Sequence, residues 1–357
     1  AAPGGIGVVP PLRNLRAVPP LLQVARPEME DSPEGTALEK RRTTSREIVT
    51  QYLTRIAFYE DQLHAALAVN RQALVEADER DRERRAGRLR GPLHGIPIAL
   101  KDNIHTTTMP TTGGALAFTG FTPPYEATLT RHLRDAGAII LAKTTMTELA
   151  NWVAGSPTPM PGNYNAVGGF GLNPFDPRRD PRPATFDGRP VMNTGGSSSG
   201  IGTTASLWAA NVGTETSGSI LSPSNQTMLV GIKPTVGRVS RYGVIPITAD
   251  QDTPGPMART VRDAALLFGV LEGRSPDPND TATNRCTPPP GGDYTRFLRA
   301  GGLKGARIGI PRAFYYEPGP NTDVTRGGLD PAQTAAMADA IAVLKVQGAV
   351  IVDPADV

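Results

Sequence analysis

The sequence holds one cysteine, Cys286, in 357 residues. A single thiol excludes an internal disulfide framework and any cysteine-rich zinc module. Histidine is also scarce, with four residues, and lysine numbers only six. No run approaches the eighteen or so apolar residues that a membrane span needs. An excess of one charge is missing too. The 37 basic residues stand against 34 acidic ones, and a net charge of +3 gives nucleic-acid binding no support. Hydrophobic residues make up 39% and charged residues 20%, which excludes a disordered composition and allows one large domain or two smaller ones. What is abundant is glycine, 39, and proline, 35, so many turns are expected.

Residues 1–35 are rich in Pro and Gly without periodicity and read as an N-terminal arm, ahead of one domain over residues 36–357. Thr44 and Glu47 have capping-box spacing, and Ile48, Val49, Tyr52, Leu53 and Ile56 then recur at helical spacing. A second helix is expected from near Asn70 through Arg85. Its late part is almost all charge and reads as a solvated face laced with exposed ion pairs. The apolar runs Ile96–Leu100 and Ala138–Ala142 read as strands, with a helix carrying Leu129 and Leu133 between them. Thr260 and Asp263 can cap a helix carrying Ala265, Leu266, Val270 and Leu271. A strand at Arg307–Ile310 follows, then a helix opened by Asp330-Pro331 and lined by Ala335, Ala338, Ile341 and Leu344, then a strand at Ala349–Val352. Alternating helices and strands predict an α/β fold. Residues 155–192, full of Pro, Gly and Asn, read as a long loop, either a solvated insertion or a lid.

The chemistry concentrates in two small-residue clusters, Gly195-Gly196-Ser197-Ser198-Ser199-Gly200 and Gly213-Thr214-Glu215-Thr216-Ser217-Gly218-Ser219-Ile220. The first could be a Ser/Gly linker, but a helix-like segment with Leu207, Trp208 and Ala209 follows it directly. The second lets backbone N–H groups converge on a ligand or an oxyanion. A serine nucleophile needs a base. Residues 196–200 also fit a nucleophile elbow with Ser198 central, yet that reading needs a histidine downstream. His64, His94, His105 and His132 all lie upstream. Lysine is the alternative. Lys101 ends an apolar strand and can be carried inside, where desolvation leaves a neutral amine. The plainer reading, a lysine reaching back to water, is favoured by position alone. Other sites gain no support. Gly168-Gly169-Phe170-Gly171 lacks the flanking strand and helix of a dinucleotide loop. His94 and His105 lack metal-ligand spacing, and Cys286 reads as an inert loop thiol.

Taken together, His94–Ile104, Gly195–Gly200 and Gly213–Ile220 resemble the three motifs of the amidase signature family. Lys143–Glu148, Gly231–Ser240 and Asp252–Val261 resemble three further segments, so the resemblance spans roughly residues 40–357. It is closest to peptide-amidase-like enzymes, through Gly213-Thr214-Glu215-Thr216. The resemblance implies an α/β fold with a mixed β-sheet core covered by helices on both faces. It implies a Ser-Ser-Lys triad in which Lys101 is the base, Ser197 bridges after a cis peptide bond, and Ser219 forms the acyl-enzyme. Backbone N–H groups of Thr216, Ser217, Gly218 and Ser219 would form the oxyanion hole, and no metal or other cofactor is implied.

Three departures shape these expectations. The 22 residues from Ser197 to Ser219 are two fewer than usual in the family, so the connecting helix must be shorter or differently entered, and Ser198 stays open as the bridging serine. Leu221 stands where amidotransferase subunits of the family carry arginine, which argues against a glutamine-hydrolysing subunit. Family members also continue past the equivalent of Val357, so the C-terminal part of the fold is expected to be lacking here. The expected activity is hydrolysis of a neutral, fairly apolar carboxamide to acid and ammonia. The alternatives are a silent binding protein with the same fold and the glutamine-hydrolysing subunit. The expected partner is a small-molecule or peptide amide, with neither nucleic acid nor membrane, and a homodimer is left open. A soluble chain is expected, with the cytoplasm favoured and an exported form left open.

Overall fold

The structure is a computed structural model and describes residues 38–152, 162–183, 188–195, 197–313, 315–317 and 328–356. The Pro/Gly-rich arm of residues 1–35 lies outside the described residues. Helix α1 (Ser45–Leu63) begins where the capping box places it. The Thr44 hydroxyl accepts from Glu47 N at 3.1 Å, and the Glu47 carboxylate accepts from Thr44 N at 2.9 Å. Ile48, Val49, Tyr52 and Ile56 are buried along one face. Strand β1 (Ala66–Val69) and helix α2 (Ala73–Arg85) follow.

The charged run of α2 corrects the sequence expectation. Arg80 and Asp81 are buried, and the Asp81 carboxylate accepts from Ser45 N at 2.8 Å and Arg46 N at 3.0 Å. Those N–H groups belong to the first turn of α1 and have no acceptor within it, so the anion satisfies them and sits at the positive end of the helix. Arg80 pairs with Glu83 at 3.0 Å. This part of the face is a charged seam between two helices.

The remaining elements of residues 38–295 are strand β2 (Pro97–Lys101), helix α3 (Thr128–Asp135), strands β3 (Ile139–Thr144), β4 (Tyr164–Asn165) and β5 (Gly169–Phe170), helix α4 (Ile201–Thr204), strand β6 (Ala210–Glu215), helix α5 (Leu221–Gln226), strands β7 (Val230–Gly231) and β8 (Thr253–Ala258), and helix α6 (Val261–Glu272). Six strands form one sheet in the order β1-β3-β2-β6-β8-β7. β2 runs parallel to β3 and β6, whereas β1, β8 and β7 join antiparallel. Every residue of β2, β3, β6 and β8 is buried. Strands buried on both faces tend to read as continuous apolar runs, which made β2 and β3 legible, whereas β6 and β8, interrupted by Gly, Thr and Pro, were not read as strands. Helices α2 and α3 pack against β3, and α6 packs against β7 and β8.

Leu207, Trp208 and Ala209 are not helical. α4 stops at Thr204, and the three residues sit buried in a turn that enters β6. The indole folds back onto α4, where its Nε1 donates to Thr203 Oγ1 at 2.9 Å. A Cβ on Gly202 would stand 2.0 Å from the ring, so glycine is required there. This four-residue helix accommodates the short spacing between the two serine clusters. The described part of the 155–192 stretch is tied down at several points while Phe175, Arg178 and Arg182 stay exposed. It pairs β4 with β5, and Asn173 Nδ2 donates to Asn193 O at 2.8 Å and Gln226 O at 3.0 Å.

Residues 296–356 belong to a second compact unit. Strands β9 (Arg307–Gly309) and β10 (Val350–Val352) pair in parallel, and helix α7 (Pro331–Val346) lies between them in sequence. Asp330 and Gln333 form a capping box at its start. Of the residues expected to line α7, only Ile341 is buried. Ala335 and Ala338 are exposed and Leu344 is half-buried.

Candidate active site

Strands β2 and β6 are neighbours, and their C-terminal ends deliver the key groups. Lys101 ends β2 and is fully buried. Its Nζ donates to Thr214 O at 3.1 Å and to Thr214 Oγ1 at 3.0 Å. Among the described residues neither Ser197 nor Ser219 is a hydrogen-bond partner of that amine. Burial pushes the Lys101 amine down to about 7, against the opposing pull of Asp252 and Glu215.

Lys143 on β3 is equally buried, and the contrast is instructive. Its Nζ lies 3.2 Å from Asp102 Oδ1 and also donates to Pro110 O and Thr111 Oγ1. Burial lowers its pKa, while the adjacent Asp102 carboxylate opposes that fall. Asp102 Oδ2 in turn accepts from Thr112 N at 3.0 Å and from the Thr112 hydroxyl. One buried lysine therefore faces a carboxylate at ion-pair distance. The other, Lys101, has none within that distance among the described residues.

The serine loop packs directly onto the start of α5. Gly195 adopts φ +80, and a Cβ there would stand 2.3 Å from Pro223 N. Ser197 Oγ donates to the Ser219 carbonyl oxygen at 2.7 Å and lies 3.1 Å from Ser199 Oγ. Ser198 Oγ instead meets Thr194 Oγ1 at 2.8 Å. Of the two candidate bridging serines, Ser197 is the one bonded to residue 219. The peptide bond before Ser197 involves Gly196, which lies outside the described residues.

Ser219 is half-buried and lines a cavity of about 240 Å³ together with Asn103, Thr214, Thr216, Tyr242 and Asp252. Among the described residues, its hydroxyl has no hydrogen-bond partner. The same holds for the backbone N–H groups of Thr216, Ser217, Gly218 and Ser219 as donors. Gly218, at φ +114, takes a conformation that only glycine adopts freely. With Ser217 exposed and Thr216, Gly218 and Ser219 half-buried, these four consecutive N–H groups, without a protein acceptor among the described residues, are open to water or a ligand.

Several contributors were not singled out from sequence. Glu215 is buried, and its Oε2 accepts from Ile220 N at 2.7 Å and Leu221 N at 2.8 Å, holding the turn that presents Ser219. Asp252 accepts from the Thr216 hydroxyl, Ile247 N and Thr248 N, which anchors the far side of that turn. Asn103 Nδ2 donates to Thr214 Oγ1 at 3.1 Å, so Thr214 links Asn103 to Lys101. An acidic residue inside a run of small residues was the available signal for Glu215. His94, expected to be structural, is buried with Nε2 2.9 Å from Arg80 O. Among the described residues no group of three or more His, Cys, Asp or Glu side chains could hold a metal ion.

A family profile described as Amidase matches residues 47–356. The chain belongs to the amidase family. Among solved structures, this family member is similar to native peptide amidase from Stenotrophomonas maltophilia, with a TM-score of 0.78 and 39% identity over 90% of this chain and 61% of that one. It is also similar to an amidase family protein from Bacillus anthracis, with a TM-score of 0.77 and 30% identity over 97% and 64% of the respective chains. A glutamyl-tRNA(Gln) amidotransferase subunit of Chloroflexus aggregans is 38% identical over 319 residues, 89% of this chain and 58% of that protein. The amidase-family chain spans about half the length of the curated relatives it matches.

Proposed function

We propose that this chain carries the hydrolytic machinery of a carboxamide hydrolase, with Ser219 as nucleophile, Ser197 as bridge and Lys101 as base. The observation that carries this reading is Lys101 itself. A fully buried amine with no carboxylate at ion-pair distance among the described residues, held near neutral, can accept a proton at physiological pH. The Ser197 hydroxyl already reaches residue 219. The relay requires that hydroxyl to turn from the carbonyl to the Ser219 hydroxyl and the Lys101 amine to exchange its bonds to Thr214 for one to Ser197.

The steps balance. Lys101 takes a proton from Ser197 as Ser197 takes one from Ser219. The Ser219 oxygen bonds to the amide carbon, and the carbonyl oxygen gains negative charge among the N–H groups of residues 216–219, which have no acceptor among the described residues. Such preset donors are typically worth about 3 kcal/mol each in the transition state. The relay then reverses and protonates the nitrogen, the C–N bond breaks and ammonia leaves. Water cleaves the resulting ester by the same relay and releases the acid. The proposed substrate is a neutral primary carboxamide. The likeness to amidotransferase subunits makes glutamine the competing substrate, and an exposed, apolar Leu221 offers its charged end no grip.

The test is ammonia release from a simple amide and from glutamine by the whole chain, beside Lys101→Ala and Ser219→Ala. Both variants are expected to lose activity, and Ser219 is expected to take up a fluorophosphonate. Amide turnover that survives Ser219→Ala would refute the assignment.

A further inference from the structure

Residues 201–212 join the two serine clusters, and side chains from far along the chain hold their backbone. Helix α4 grows directly out of the serine loop. Ile201 N donates to Ser198 O at 3.4 Å and Thr204 N to Gly200 O at 3.1 Å. The last carbonyls of a helix have no N–H partner within it, and a one-turn helix has little else to offer them. Two arginines meet that need. Arg55 on α1 donates from Nε to Ser206 O at 2.7 Å and from Nη2 to Ala205 O at 2.6 Å. Arg259, directly after β8, donates from Nη1 to Thr203 O at 3.0 Å and to Trp208 O at 3.3 Å.

This arrangement asks for more than a positive charge. Arg55 spans two adjacent carbonyls with its fork, which a lysine cannot do. Its guanidinium is itself seated over the Tyr59 ring, 5.2 Å from the centroid. Ser206, whose carbonyl Arg55 holds, stands at φ +56, a conformation that is strained for any residue but glycine. Arg259 has no carboxylate at ion-pair distance among the described residues, and its Nε and Nη2 are buried there without a hydrogen-bond partner. Burying part of a guanidinium without an anion is costly. Backbone strain and an unpaired buried cation persist where the surrounding structure enforces them, and they concentrate around functional sites. The segment they hold carries a candidate serine at each end. Ser197 lies in the loop before α4, and Ser219 lies in the turn after β6.

We infer that Arg55 and Arg259 are positioning residues for Ser197. By fixing the carbonyls between residues 203 and 208, they set where α4 holds the serine loop, and so the angle at which Ser197 meets residue 219. The inference rests on the reading of Ser197 as bridge and Ser219 as nucleophile. Both arginines act through the backbone of α4. A displacement of about 1 Å, caused far from the reacting atoms, can lower a rate by up to about a hundredfold.

Arg55→Lys and, separately, Arg259→Lys keep the charge and lose the planar fork. In the whole chain, ammonia release from a simple amide is normalised to the sites that a fluorophosphonate titrates. Hydrogen exchange of residues 197–206 is followed by mass spectrometry. Each variant is expected to lower kcat per titrated site about tenfold, with KM within about twofold of the parent. Residues 197–206 are expected to exchange at least about fivefold faster, while β2 and β3 exchange as in the parent. A purely structural role predicts fewer titrated sites, a parental kcat per site and faster exchange throughout, and that result would overturn the inference. Unchanged exchange of residues 197–206 in both variants would overturn it as well. Faster local exchange, with a parent that neither takes up the probe nor releases ammonia, would uphold the hold on the serine loop and refute the hydrolase reading, so the two failures are separable.

Discussion

Replacing Lys101 with methionine should abolish hydrolysis and at the same time stabilise the chain near neutral pH. In the unfolded chain the amine has its ordinary value of 10.5, whereas burial brings it to about 7 in the fold. The unfolded state therefore binds more protons between those two values, and stability rises with pH across that window. At pH 7 the unmet cost of burying this amine is about 4 kcal/mol, and by pH 9 it falls to about 2 kcal/mol. Methionine removes that cost with a similar apolar volume. It also removes the two hydrogen bonds to Thr214 and leaves a buried carbonyl oxygen unmet, a loss of about 1–3 kcal/mol. The net gain at pH 7 is about 1–3 kcal/mol, shrinking by about 2 kcal/mol at pH 9. Urea unfolding of parent and Lys101→Met at both pH values measures it. A variant destabilised equally at pH 7 and pH 9 would show that Lys101 is charged and satisfied in the fold, and the reasoning would fail.

Three further outcomes follow from the same geometry. Asp102→Asn strands the buried Lys143 ammonium, and breaking one side of a buried pair should cost about 3–5 kcal/mol in chemical denaturation, so a loss under 1 kcal/mol would contradict the pairing. Glu215→Gln keeps the shape but weakens the hold on Ile220 N and Leu221 N, and it should lower kcat about tenfold with little change in KM. A shift confined to KM would place Glu215 outside the positioning of Ser219. Gly195→Ala must leave a left-handed conformation and move Pro223, so thermal denaturation should show a large loss, and a parent-like melting temperature would refute the packing.

Much of the α/β architecture was legible because the central strands are buried on both faces. Ile98, Ala99 and Leu100 beside Ile139, Ile140 and Leu141 leave a continuous apolar signature in the sequence. Helix starts were legible where caps are local, as at Thr44, Thr260 and Asp330. What was not legible depends on partners far along the chain. Asp81 looks like one more charge in a solvated run until α1 places two unsatisfied N–H groups over it. Trp208 continues a helix-like pattern until its ring turns back against Gly202. Position alone also misread Lys101, because whether a strand-end lysine reaches water or the interior is decided by what covers the strand. Within the candidate site, the serine clusters and Lys101 stood out by residue type. Thr214, Asn103 and Glu215 did not, since their roles arise only when β6 is laid beside β2.

The rate at which a fluorophosphonate modifies Ser219, followed by intact mass from pH 5 to pH 9, tests the account most directly. A neutral Lys101 as base predicts a rate that climbs about tenfold per pH unit at the acidic end, levels off above about 7, and vanishes in Lys101→Met. A rate independent of pH, or one unchanged by that substitution, would contradict it.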